Sequence, residues 1–145
     1  MSDYTATARS ISGTLRHEID VNARHTIITD EPATLGGSDS APTPHELLAA
    51  ALASCVSTMI TLYAQRRDWN LGDIQVDVSY NADTTPRQVA VSIHLPEGLT
   101  ADQVKRLERV ALTCPVRRAL EAGFTFDERL TCDLSAPAQT TIAGG

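Results

Sequence analysis

Aromatic side chains make up only 4% of the 145 residues, there are two methionines, and the three cysteines stand far apart at 55, 114 and 132. Each scarcity excludes something. So few aromatics, with no basic stripe and a formal net charge of −6, argue against nucleic-acid binding, which needs clustered Lys and Arg and stacking platforms. Widely spaced cysteines without a CxxC are not a disulfide framework, and they fit a reducing compartment. The N-terminal run Met-Ser-Asp-Tyr-Thr-Ala-Thr has neither the positive start nor the apolar core of a secretory signal, so a cytoplasmic location is expected. His17, His25, His45 and His94 lack metal-ligand spacing, and no metal or cofactor is expected. A G-x-S-x-G elbow is missing, and Gly36-Gly37 matches neither a phosphate loop nor a dinucleotide fingerprint; it reads as a flexible turn.

What remains is ordinary globular composition, 42% hydrophobic and 21% charged, in a length suited to one domain spanning 1–145. Tyr4 to Ile11, Leu15 to Val21 and His25 to Thr29 alternate as strands, and a Gly/Pro-rich loop follows from Leu35 to Pro44. From Leu47 to Gln65 there is no charge at all. Thr43, Pro44 and Glu46 form a helix-start signature, so a helix to about Arg67, apolar nearly all round, is expected in a core. Its length approaches that of a membrane span, but Ser54, Ser57, Thr58, Thr61 and the alanines favour a soluble protein packed helix on helix. Asp73 to Tyr80 and Gln88 to Leu95 predict a hairpin. Thr100 caps a helix to Leu112, Cys114-Pro115 starts another ending at Gly123, and Phe124 to Leu134 reads as a last strand before a frayed tail over 135–145. Segregated runs of this kind predict an α+β fold.

Two cysteines differ in kind. Cys55 lies mid-helix, where a free thiol is commonly inert packing. Cys114 precedes Pro115 at a helix start, where unpaired N–H groups and the dipole favour a thiolate, with Arg117 and Arg118 near in sequence. Cys132 reads as a bystander. Glu46 stands nine residues before Cys55, on roughly the opposite helix face, so any site they share needs a loop or a second chain.

The run Asp30-Glu31-Pro32 … Leu35-Gly36-Gly37-Ser38-Asp39 … Pro42-Thr43-Pro44-His45-Glu46-Leu47 through Ser54-Cys55, followed by Thr113-Cys114-Pro115-Val116, resembles the OsmC/Ohr superfamily in its P-x-E-L form. The resemblance implies antiparallel sheets wrapped around a long central helix in an intertwined homodimer. It implies a thiol-dependent peroxidase that reduces organic hydroperoxides, with Cys55 attacking, Cys114 resolving and a dithiol re-reducing the pair. In the peroxidase branches a glutamate directly follows the motif proline and holds an arginine. Here His45 has that position and Glu46 comes one later, while Arg16 or Arg24 would be the arginine. The alternative is a binding protein for a small hydrophobic molecule, with redox-sensing or inert cysteines.

Overall fold

A computed structural model of the chain describes residues 3–132. Three short strands, β1 (Ala6–Ser10), β2 (His17–Val21) and β3 (His25–Thr29), form an antiparallel sheet in that order. The register pairs Ala8 with Ile19 and Ile19 with Ile27. Alternation therefore puts Ala6, Ala8, Ile19, Val21 and Ile27 on one face. The other face carries Arg9, whose guanidinium meets Asp20 at 2.6 Å, and Thr26.

The long helix α1 (Pro44–Arg66) begins on a capping box: the Thr43 hydroxyl accepts the Glu46 N–H at 3.2 Å, and the Glu46 carboxylate accepts the Thr43 N–H at 2.8 Å. Every fourth residue from Leu52 through Val56 and Ile60 to Ala64 is buried, one stripe of a 3.6-residue helix. That stripe meets Leu107 and Ala111 of α2 (Ala101–Ala111), Cys114 at the start of α3 (Pro115–Ala122), and Leu71. The hairpin β4 (Gln75–Asn81) and β5 (Gln88–His94) covers α1 with Val76, Val78 and Ile93. By length and composition α1 could cross a membrane, yet it serves here as the strut on which β4, α2 and α3 pack.

The α+β reading, the hairpin and all three helices agree with the sequence expectations to within one or two residues. One element differs. Residues 124–132 form no strand, although Phe124, Phe126 and Leu130 are apolar, and Leu130 is 89% exposed. A strand exists only when a neighbour completes its ladder, and among the described residues no strand pairs with this segment. The remainder of that expected strand, and the expected frayed tail over 135–145, lie outside the described residues. The wrapping is also incomplete in one chain: β4 and β5 lie against the helices, whereas β1–β3 pack extensively on none of them.

Candidate active site

Cys55 sits one residue before Val56 of the buried stripe, on the flank of α1 that turns toward α3. It is half-buried, while Cys114 is wholly buried. Cys114 reaches it because α2 ends at Ala111 and a short turn starts α3 at Pro115, which donates no N–H and has φ preset for a first helical turn. The Cys114 sulfur caps α3 by accepting the Arg117 N–H at 3.5 Å. The Arg117 guanidinium points elsewhere, to Glu121 at 2.9 Å, so the amide rather than the side-chain charge serves the thiol.

Two thiols from separate helices thus stand as neighbours in a largely apolar setting. Burial pushes the Cys55 thiol above its ordinary pKa, and the adjacent Cys114 thiol adds to this by favouring the neutral form. The backbone N–H of Val116 acts in the opposite direction. A mainly apolar cleft of about 250 Å³ runs against Leu52 and Val56, on the turn of α1 that also carries Cys55, and is lined further by Val91, Ile93, Ala111 and Leu112 with Glu108 and Arg117. It continues into a wider groove of about 550 Å³ past Val89 and Leu120. Val89 and Val91 are 44% and 40% exposed there.

The other sequence-derived candidates are not at the thiols. Glu46 is committed to the α1 cap. His45 lies against Tyr80 with ring centroids 5.6 Å apart. Arg24 is in the β2–β3 turn, and its side chain makes no hydrogen bond or ion pair among the described residues. Arg16, ahead of β2, donates from Nη1 to the Ser40 hydroxyl. Cys132 is exposed and is not among the groups that act on Cys55. No three His, Cys, Asp or Glu side chains among the described residues group as metal ligands.

Sequence reasoning missed Asp30. Its carboxylate is 1% exposed and gathers the whole 31–40 loop. Oδ1 accepts the Glu31 N–H at 2.8 Å; Oδ2 accepts the Ser38 N–H, the Ser40 N–H and the Ser40 hydroxyl at 3.2, 3.1 and 2.7 Å. These bonds, the Ser40 hydroxyl foremost, hold its pKa down at about 2, so it is an anion at any physiological pH. The available signal was an acid between a strand end and a proline, with two serines eight and ten residues on. Gly37 is not merely a flexible turn either: a Cβ there would fall 1.9 Å from the Glu31 carbonyl oxygen, so only glycine lets the loop close.

The family model described as OsmC-like protein matches residues 37–129. Among solved structures, a putative osmotic stress induced and detoxification response protein from Psychrobacter arcticus is 31% identical, with TM-score 0.64 over 81% of this chain and 87% of that one. An organic hydroperoxide resistance protein OsmC from Legionella pneumophila is 24% identical, with TM-score 0.61 over 83% and 90%. An organic hydroperoxide resistance protein from Elizabethkingia anophelis is 21% identical, with TM-score 0.60 over 81% and 87%. The last two likenesses concern the fold. Comparison with curated protein sequences gives no match.

Proposed function

The chain belongs to the OsmC-like protein family, and we propose that it is a thiol-dependent peroxidase reducing organic hydroperoxides to alcohols through Cys55 and Cys114. The observation that carries this reading is the meeting of two thiols from different helices, on a turn of α1 whose Leu52 and Val56 line a mainly apolar cleft. The Cys55 thiolate attacks the distal peroxide oxygen. The O–O bond breaks, the alkoxide leaves and takes a proton, and Cys55 becomes a sulfenic acid. Cys114 then attacks that sulfur, water leaves, and a Cys55–Cys114 disulfide forms. A dithiol returns both sulfurs to thiols, becoming a disulfide itself. An apolar cleft favours an alkyl or aryl hydroperoxide over hydrogen peroxide, because burying the organic group contributes binding that H₂O₂ cannot. A reductant of this kind implies a reducing compartment, hence the cytoplasm.

The test is stoichiometric. One equivalent of cumene hydroperoxide should remove two free thiols per chain, restored by a dithiol; thiol loss no faster than for free cysteine would count against the enzyme. A second reading, binding of a small hydrophobic molecule with inert cysteines, is favoured by the raised Cys55 pKa, and that second outcome would select it.

We propose a homodimer as the working unit. Among the described residues, Leu48, Ala51, Ser54, Thr58 and Leu62 leave one side of α1 uncovered, the β1–β3 face that carries Ile19, Val21 and Ile27 has no helix packed extensively on it, and the alternating 124–130 segment lacks a strand partner. A second copy would cover all three. In sedimentation at micromolar concentration a single species of twice the chain mass is expected; a stable folded monomer would refute it. The dimer also bears on Arg16. Within one chain the groups acting on Cys55 are Cys114 and the Val116 amide, with no arginine among them. We assign Arg16, held at Ser40 in the loop before α1, to the Cys55 of the second copy.

A further inference from the structure

We propose that Asp30 and Ser40 are the positioning residues for Arg16, the buried carboxylate acting through the serine hydroxyl; this rests on the reading above that Arg16 serves a cysteine thiolate. Ser40 joins two groups of opposite hydrogen-bonding character. Its Oγ lies 2.7 Å from Asp30 Oδ2 and also receives Arg16 Nη1. A hydroxyl has a single proton, and an ionised carboxylate can only accept. The Ser40 proton therefore goes to Asp30. That leaves the oxygen's lone pairs for Arg16, which can only donate. The charge on Asp30 fixes the direction of the whole relay, and four donors on that carboxylate keep the charge in place.

The arrangement also leaves Arg16 usable. A carboxylate in direct contact with a guanidinium commonly takes two of its donors in a bidentate pair. Here the buried anion acts at one remove, and Ser40 is the sole side-chain partner of Arg16 among the described residues. Most of the donor fork stays open toward an external anion, in an orientation set by a loop that Gly37 allows to close tightly. A residue serving only to clamp the loop would gain from direct pairing. The relay spans 24 residues and ties the strand-side arginine to the approach to α1, near the Asp30 N–H to Pro42 carbonyl bond of 3.2 Å.

Ser40→Ala removes the relay but keeps the other three donors to Asp30. In the full-length protein two readouts apply: the ¹⁵N heteronuclear NOE of the Arg16 Nε–H, and the pH profile of Cys55 alkylation by iodoacetamide. We expect Ser40→Ala to lose the NOE and slow alkylation at pH 7 by about three- to tenfold, the latter equal to one pKa unit. Arg16→Ala should slow alkylation by the same factor, the double variant should be no slower than Arg16→Ala alone, and Ser40→Thr should restore both readouts. If Arg16→Ala slows alkylation while Ser40→Ala leaves it unchanged, the relay is refuted and the reading of Arg16 stands. If Arg16→Ala itself has no effect, both are refuted, and the failure is at the arginine. Should Ser40→Ala not fold, Ser40→Cys, whose thiol is a poor acceptor, reads the same quantities.

Discussion

Cys55→Ser is expected to lower consumption of cumene hydroperoxide by at least on the order of 10³-fold, to the uncatalysed background. A serine hydroxyl is not ionised near neutral pH and does not attack a peroxide oxygen, and no other thiol can take over. Cys114 is wholly buried, so a peroxide in solution does not reach its sulfur first; Cys132 is exposed and does not line the cleft. Cys114→Ser should behave differently. The first oxidation survives, because the attacking sulfur and the cleft beside the Leu52–Val56 turn are untouched. The sulfenic acid then has no neighbour to capture it and proceeds to sulfinic and sulfonic acids, losing turnover within a few cycles. Cys132→Ser should match the unmodified protein. Intact-mass spectrometry after one and then excess equivalents of peroxide separates these cases: a loss of roughly 2 Da for the disulfide against gains of about 16, 32 and 48 Da for the sulfenic, sulfinic and sulfonic acids. An unchanged rate in Cys55→Ser would remove the assignment altogether.

Why the sequence revealed the thiol pair but not the acid beside Arg16 is a matter of range. The α1 start is local: Thr43, Pro44 and Glu46 satisfy one another within four residues, and the cap they form appears as expected. Cys114 is equally local, an N-cap before a proline. Helix periodicity predicts which residues face inward, so the Leu52–Val56–Ile60–Ala64 stripe follows from spacing alone. Asp30 is different. Its meaning lies in contacts eight and ten residues away through a turn whose shape depends on Gly37, and Arg16 joins from 24 residues off. No periodic pattern encodes such a closure. The 124–132 segment erred for the opposite reason. Alternation states a preference for strand, but only a ladder partner makes one, and the described residues of one chain pair none with it.

The departure at His45 has a chemical consequence that pH can expose. In the structure the nearest influences on Cys55 are burial and the Cys114 thiol, which both favour the protonated form; the one opposing group is the Val116 amide. Raising a thiol's pKa removes thiolate at every pH below it, so the reactive fraction at neutrality falls under the few per cent of an ordinary cysteine with pKa about 8.5. His45 contributes nothing to the pair, resting on Tyr80, and Glu46 is held by the Thr43 amide. On the proposed dimer, an Arg16 held through Ser40 and brought by the second copy would move the balance back only in part, because one guanidinium would work against both burial and a neutral neighbour. Cys55 alkylation by iodoacetamide should therefore rise close to tenfold per pH unit from about pH 6 to about pH 8, with no plateau in that range. Arg16→Ala should displace the whole profile toward higher pH without changing its slope, and Glu46→Gln should leave it in place. Peroxide turnover should follow the same slope until re-reduction becomes limiting. The measurement is site-resolved mass spectrometry of alkylated Cys55 at short times across that range. A rate already saturated at pH 6 would mean a strongly stabilised thiolate, and the weak activation argued from burial and the Cys114 neighbour would be wrong.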